Sequence, residues 1–305
     1  DRGRALIGFE RFLGSRSRPI DKLCEDLLSG RGEASGMALA QAVLEAWQGL
    51  DKPGRLAFFN MLQERFGPDH DRLDAAIEAY RAKPDAATIS ALHLAAEPRR
   101  QELLRRLNLA PEGTHVLVRM REALFEAMAA EPELKGIDDD FRHLFGSWFN
   151  RGFLVLRRID WRTPANVLEK IIRYEAVHEI QGWDDLRRRL EPADRRCFAF
   201  FHPQLVDDPL IFVEVALTGG IPRSIGEVLE PERAILPAQQ ATTAVFYSIS
   251  NCQEGLRGIS FGNFLIKQVA EDLKRELPGL DTFVTLSPVP GFARWLAGIA
   301  DEPGD

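Results

Sequence analysis

The chain has 305 residues, 45% of them hydrophobic and 28% charged, and a formal net charge of −7. This composition can bury a sizeable core and excludes a disordered chain. The negative sign argues against a nucleic-acid surface and against general attraction to an anionic membrane.

At this length two domains are expected. No apolar run reaches spanning length, and Asp1-Arg2-Gly3-Arg4 lacks the features of a signal peptide. Because the first residue is not Met, the natural start is expected to lie upstream. Cys24, Cys197 and Cys252 lie far apart with no CxxC pair, which predicts reduced, buried thiols in a cytoplasmic compartment. No metal site is expected, since the acidic residues lack ligand spacing and His and Cys do not cluster.

In chain order, residues 5–13, 20–28, 37–50, 55–66, 71–80, 87–95, 99–107, 115–129 and 141–149 carry apolar positions at three- and four-residue steps. Gly30, Gly32, Pro53, Gly67-Pro68, Pro84, Pro98 and Pro111 punctuate them. No fixed repeat period runs through this half, so residues 1–150 read as an all-α helical bundle. It holds no constellation that suggests chemistry, and scaffolding and self-association are its expected roles. The run Asp138-Asp139-Asp140 reads as solvated charge or a helix cap.

From Gly152 the texture changes. Residues 153–156 look strand-like, 164–176 helical with Pro164 in the first turn, and 183–190 a short basic helix. Residues 197–201 and 210–217 are strands, the second apolar enough for a sheet interior. Arg187-Arg188-Arg189 reads as an exposed helix face, Asp207-Asp208 as solvated charge or a cap, and His178 and His202 as structural histidines. Residues 230–240, rich in Pro and charge, read as a loop. Mixed strands and helices over 151–305 predict a sheet domain, and the whole chain is α+β.

The most informative stretch is 243–292. A strand over 244–249 enters the turn Gly255-Leu256-Arg257-Gly258, a helix follows from about Ser260, and a second strand covers 282–286. That strand delivers Ser287 into a turn fixed by Pro288, Pro290 and Gly291. The first amides of a helix lack internal partners and favour an anion. Gly258 and Gly262 allow close backbone approach, and Arg257 adds positive charge. Ser260 suits the N-cap, though no acidic residue three positions later completes a capping box.

Arg257-Gly258-Ile259-Ser260-Phe261-Gly262-Asn263 resembles the pyrophosphate loop of the acetyltransferase (GNAT) fold, which binds coenzyme A; Ser260 stands where many members carry glycine. FYSIS (246–250), GLRG (255–258), FLIK (264–267) and LSPVPGF (286–292) in this order resemble the malonyl-CoA decarboxylase family. Phe153-Leu154, Trp161, Glu175-Ala176-Val177-His178, Trp183, Arg195-Arg196-Cys197 and the segment 215–219 extend the resemblance over about 141–296.

The resemblance implies a GNAT-like catalytic domain over 151–305 and an oligomerising helical domain before it. It implies conversion of malonyl-CoA to acetyl-CoA and carbon dioxide in fatty-acid and malonate metabolism, with no cofactor beyond the coenzyme A that the substrate carries. Ser287 takes the family's active-site serine position, and Arg257, Gly258, Ile259, Ser260, Phe261, Gly262 and Asn263 form the coenzyme A loop. Arg187-Arg188-Arg189 has an alternative partner in the 3′-phosphate of coenzyme A. The family also uses a proton-donating histidine in a downstream asparagine–phenylalanine–histidine segment. None of the six histidines here sits in such a motif, so the C-terminal part and its proton donor are expected to be missing. An acyltransferase on the same fold and a non-catalytic acyl-CoA sensor are the alternatives; the first would need an acceptor amine.

Overall fold

The computed structural model describes residues 18–29, 33–260, 264–289 and 291–300. The helix expected at 5–13, and Phe261, Gly262 and Asn263 of the expected loop, lie outside them. The described residues form two compact units. One contains the helices up to Asn150 together with Glu254–Ser260; the other contains Arg151–Gln253 and the residues after the loop.

In the helical unit, α1 (Ile20–Leu28), α2 (Glu33–Gln48), α3 (Lys52–Arg65), α4 (His70–Ala82), α5 (Ala86–Ala96), α6 (Arg99–Asn108), α7 (Gly113–Ala130) and α8 (Lys135–Trp148) follow one another. Acidic residues open three of them. Asp51 accepts from the Gly54 amide, Asp69 from that of Arg72, and Asp85 forms a capping box with Thr88. The apolar steps become the core: Phe58, Phe59, Leu62, Leu103, Leu107, Leu117 and Leu124 are buried. Along α8, Phe145 meets Phe141 and the following Phe149 edge-on, with centroids 5.4 and 5.5 Å apart.

The acidic run at the start of α8 is not solvated as expected. Asp138 and Asp140 are buried; Arg121 donates to Asp138 at 2.7 Å, and Gln101 to Asp140 at 2.6 Å beside Arg100. Residues two apart on a helix point about 200° away from each other, so each carboxylate meets a different neighbouring helix. Only Asp139 stays outside, paired with Lys135 one turn earlier.

The second unit holds a five-stranded sheet in the order β1 (Val155–Ile159), β2 (Arg195–Phe201), β3 (Pro209–Thr218), β4 (Thr243–Asn251) and β5 (Thr282–Thr285). The first four pair antiparallel, and β5 joins β4 in parallel. A parallel neighbour needs a crossover, which α12 (Phe264–Glu276) supplies. Cys197, Ala199 and Phe212 pack with α9 (Ala165–Tyr174) and α10 (Trp183–Leu190) on one face. Arg158 and Arg196 alternate with that face and meet Glu276 of α12, so α12 covers the other. With both faces covered, every residue of β2 and nearly all of β3 are buried. The strand expected at 153–156 begins two residues later, after a 3₁₀ turn at Arg151–Phe153.

Two further helices, α11 (Ile225–Leu229) and α13 (Phe292–Ala300), were not foreseen. Residues 230–240 are anchored. Arg233 pairs with Asp194, whose carboxylate also accepts from the Leu236 amide, and a 3₁₀ turn, Ala238–Gln240, ends the segment. No helix among the described residues is long and apolar enough to cross a membrane.

Candidate active site

The expected coenzyme A turn is built within the helical unit. Glu254–Leu256 forms a 3₁₀ turn against α7, and the fit is so close that a Cβ on Gly255 would lie 2.0 Å from the Val118 carbonyl oxygen. Arg121 of α7, 1% exposed, donates from Nη1 to the carbonyls of Gly255 (2.8 Å) and Arg257 (2.9 Å). The Arg257 side chain is exposed, pairs with Glu254 at 2.6 Å and stacks over Phe125, 4.3 Å from the ring centroid. Gly258 has φ +78, which suits a residue lacking Cβ, and the space beside it is open. Ile259 is buried and Ser260 exposed.

Ser287 belongs to the sheet unit. β5 pairs with β4 only from Thr243 to Phe246, and the last link is the Leu286 amide donating to the Phe246 carbonyl at 2.9 Å. Ser287 is the next residue and is exposed. At the same level β4 bulges. Glu214 of β3 faces Ser248 while Val215 faces Phe246, leaving Tyr247 as the extra residue. The two parallel strands therefore part beside a bulge, and Ser287 stands just past the parting.

Beneath the bulge lies a buried polar cluster that the sequence reading did not assign. Glu175 accepts from the hydroxyls of Ser248 (2.7 Å) and Ser250 (3.1 Å) and from the amides of Val177 (2.9 Å) and His178 (2.7 Å). Arg189 is not on an exposed face as expected but is 5% exposed. It bonds to the carbonyls of His178 and Glu179 and pairs with Asp185 (3.1 Å) and Glu214 (3.2 Å). Arg187 and Arg188 do remain half-exposed, as expected of that helix face. Burial lifts the Glu214 carboxyl to about 8, against the opposing charge of Arg189. The buried Tyr247 hydroxyl meets no hydrogen-bond partner among the described residues.

His178 is half-buried against the Tyr247 ring, and burial lowers its pKa. His202 is likewise buried. Asp208 departs from the solvated reading, being buried and paired with Lys170 at 3.1 Å. The available signal for this cluster was polar residues inside otherwise apolar strands: Glu214 within 210–217, and Ser248 and Ser250 within 243–251. A nearby cavity of about 130 Å³ is lined by Arg188, Arg189, Arg195, Arg233 and Asp185. That is below the usual range for a small-molecule pocket, and its arginines already have carboxylate or carbonyl partners.

A helical unit followed by a mixed sheet whose terminal parallel pairing ends beside a bulge defines the class: an α+β protein. The sequence matches the profile of the Malonyl-CoA decarboxylase C-terminal domain over residues 152–303 and that of the Malonyl-CoA decarboxylase N-terminal domain over 66–149. The mitochondrial malonyl-CoA decarboxylase of Anser anser anser is 37% identical over 268 residues, covering 83% of this chain and 53% of the relative. Crystal structures of malonyl-CoA decarboxylases from Rhodopseudomonas palustris and Agrobacterium vitis are 63% and 64% identical, with TM-scores of 0.86 and 0.89. Each match covers 94% of this chain and 70% of the relative. The chain belongs to the malonyl-CoA decarboxylase family, and it spans little more than half the length of the curated relative it matches.

Proposed function

We propose that the protein to which this chain belongs converts malonyl-CoA to acetyl-CoA and carbon dioxide. Breaking the carbon–carbon bond leaves an electron pair that the thioester carbonyl takes up as an enolate, which is then protonated at carbon. The thioester is itself the electron sink, so the reaction calls for no separate cofactor. The catalyst must hold the departing carboxylate out of the carbonyl plane and aim donors at the developing oxyanion.

In this reading the backbone from Arg257 to Asn263 anchors the coenzyme A pyrophosphate, so binding energy remote from the reacting bond positions the malonyl group. Ser287 orients the carboxylate and takes part in proton transfer. None of the six histidines here is assigned the protonation of carbon. We further read the protein as a cytoplasmic homo-oligomer of fatty-acid and malonate metabolism, self-associating through its helices, with no nucleic-acid or membrane partner. Three buried free thiols support the reducing compartment.

The observation that carries the reading is the position of Ser287, one residue beyond the last β4–β5 hydrogen bond and at the level of the Tyr247 bulge. The test is carbon dioxide release from malonyl-CoA by the full-length protein without any acceptor amine. Ser287→Ala should lower turnover by about 10²- to 10⁴-fold. Full turnover in the variant would overturn the assignment.

A further inference from the structure

We propose that Arg121 is a positioning residue for coenzyme A binding, aiming the turn that follows β4, and that the helical unit thereby sets affinity for the nucleotide half of the substrate. The proposal rests on the loop assignment made above. A trans peptide is planar, so its carbonyl and the next amide point in opposite directions. Arg121 draws the Arg257 carbonyl inward at 2.9 Å, which turns the Gly258 N–H outward. That amide takes part in no backbone hydrogen bond among the described residues, and the space beside Gly258 is open. An outward, unspent amide next to a cationic side chain is what a phosphate oxygen requires.

Three further contacts hold this arrangement to α7 and α8. Asp138 accepts from Arg121 Nε at 2.7 Å and fixes the guanidinium plane, leaving Nη1 to bridge the carbonyls of Gly255 and Arg257. Gly255 lies so near the Val118 carbonyl that no side chain fits between turn and helix. The Phe125 ring has the guanidinium groups of Arg121 and Arg257 at 4.7 and 4.3 Å from its centroid, which stations Arg257 beside the turn. Glu254 at present occupies Arg257, and a bound phosphate would displace it.

The experiment compares the KM for malonyl-CoA with that for malonyl-pantetheine, which lacks the pyrophosphate, on the full-length protein. Arg121→Lys keeps the charge beside Asp138, but a single ammonium cannot also span both carbonyls. The double variant Arg121→Met with Asp138→Leu removes both charges and leaves neither buried alone. Both should raise the malonyl-CoA KM about tenfold relative to that for malonyl-pantetheine. Gly258→Asp, which sets a carboxylate where the phosphate would lie, is the control for the loop itself. If Gly258→Asp shifts the ratio and neither Arg121 variant does, the role given to Arg121 is wrong while the loop assignment stands. If no variant shifts it, the loop assignment fails, and this proposal with it. Equal losses with both substrates in the Arg121 variants would mark a structural role only and would also overturn it.

Discussion

Glu214 has Asp185 and Arg189 of α10 before it, Glu175 nearby on the same face, and Ser248 and Cys197 opposite it on the neighbouring strands. Its surroundings hold it protonated well above the ordinary carboxylic value of 4.5, at about 8, mainly through burial. The unfolded chain releases this proton first as pH rises, so the folded state carries the excess proton between those two values. Stability contributed by this group is therefore fully present below about 4.5 and is lost as pH climbs through about 8. Glu214→Gln, which cannot ionise, should flatten that slope. Urea midpoints of the two proteins across pH 5 to 8 should diverge progressively, and parallel curves would contradict this account of Glu214.

At the scale of elements, the second half of β4 is unusual. β3 pairs with it out to Asn251, whereas β5 leaves after Phe246. The segment after α9 compensates, because Glu175 gathers two β4 hydroxyls and two of its own amides into one buried carboxylate site. Glu175→Ala would strand those donors in a water-poor interior. A loss of about 3–5 kcal/mol is expected, the scale for deleting one member of a buried charged network. Adding Ser248→Ala and Ser250→Ala should recover part of it, since fewer donors would then lack partners. Denaturant titration measures both, and a cost under about 1 kcal/mol for Glu175→Ala would show that the cluster does not brace the strand.

Across the whole molecule, chain order and spatial grouping diverge at one heptapeptide. Glu254–Ser260 follows a sheet strand in sequence but is grouped with the helices, because its backbone is held by Arg121, Glu122 and Val118 of α7. A fragment beginning at Arg151 would keep the five strands and lose those partners. Amide exchange at Gly255, which donates to Glu122 in the intact chain, should be faster in the fragment by orders of magnitude. Equal protection in the two would mean that the sheet unit alone orders the turn.

What the sequence determined by itself was carried by local period and punctuation. The apolar steps of 20–28 and 99–107 reappear as α1 and α6 with ends displaced by no more than a residue, and the apolar run 210–217 as the buried β3. Gly258, read as a turn glycine, has the positive φ that makes glycine suitable there. The short α11 was invisible because five residues barely establish a helical period. Only the tertiary structure decided which charges lie inside: Asp138, Asp140, Asp208 and Arg189 look like surface residues until their partners, brought from other helices and from β3, are in place. The Tyr247 bulge was equally out of reach, since a bulge is a mismatch in register between two strands and neither strand alone contains it. Periodicity is a property of neighbours along the chain, whereas burial and register belong to residues that only folding brings together.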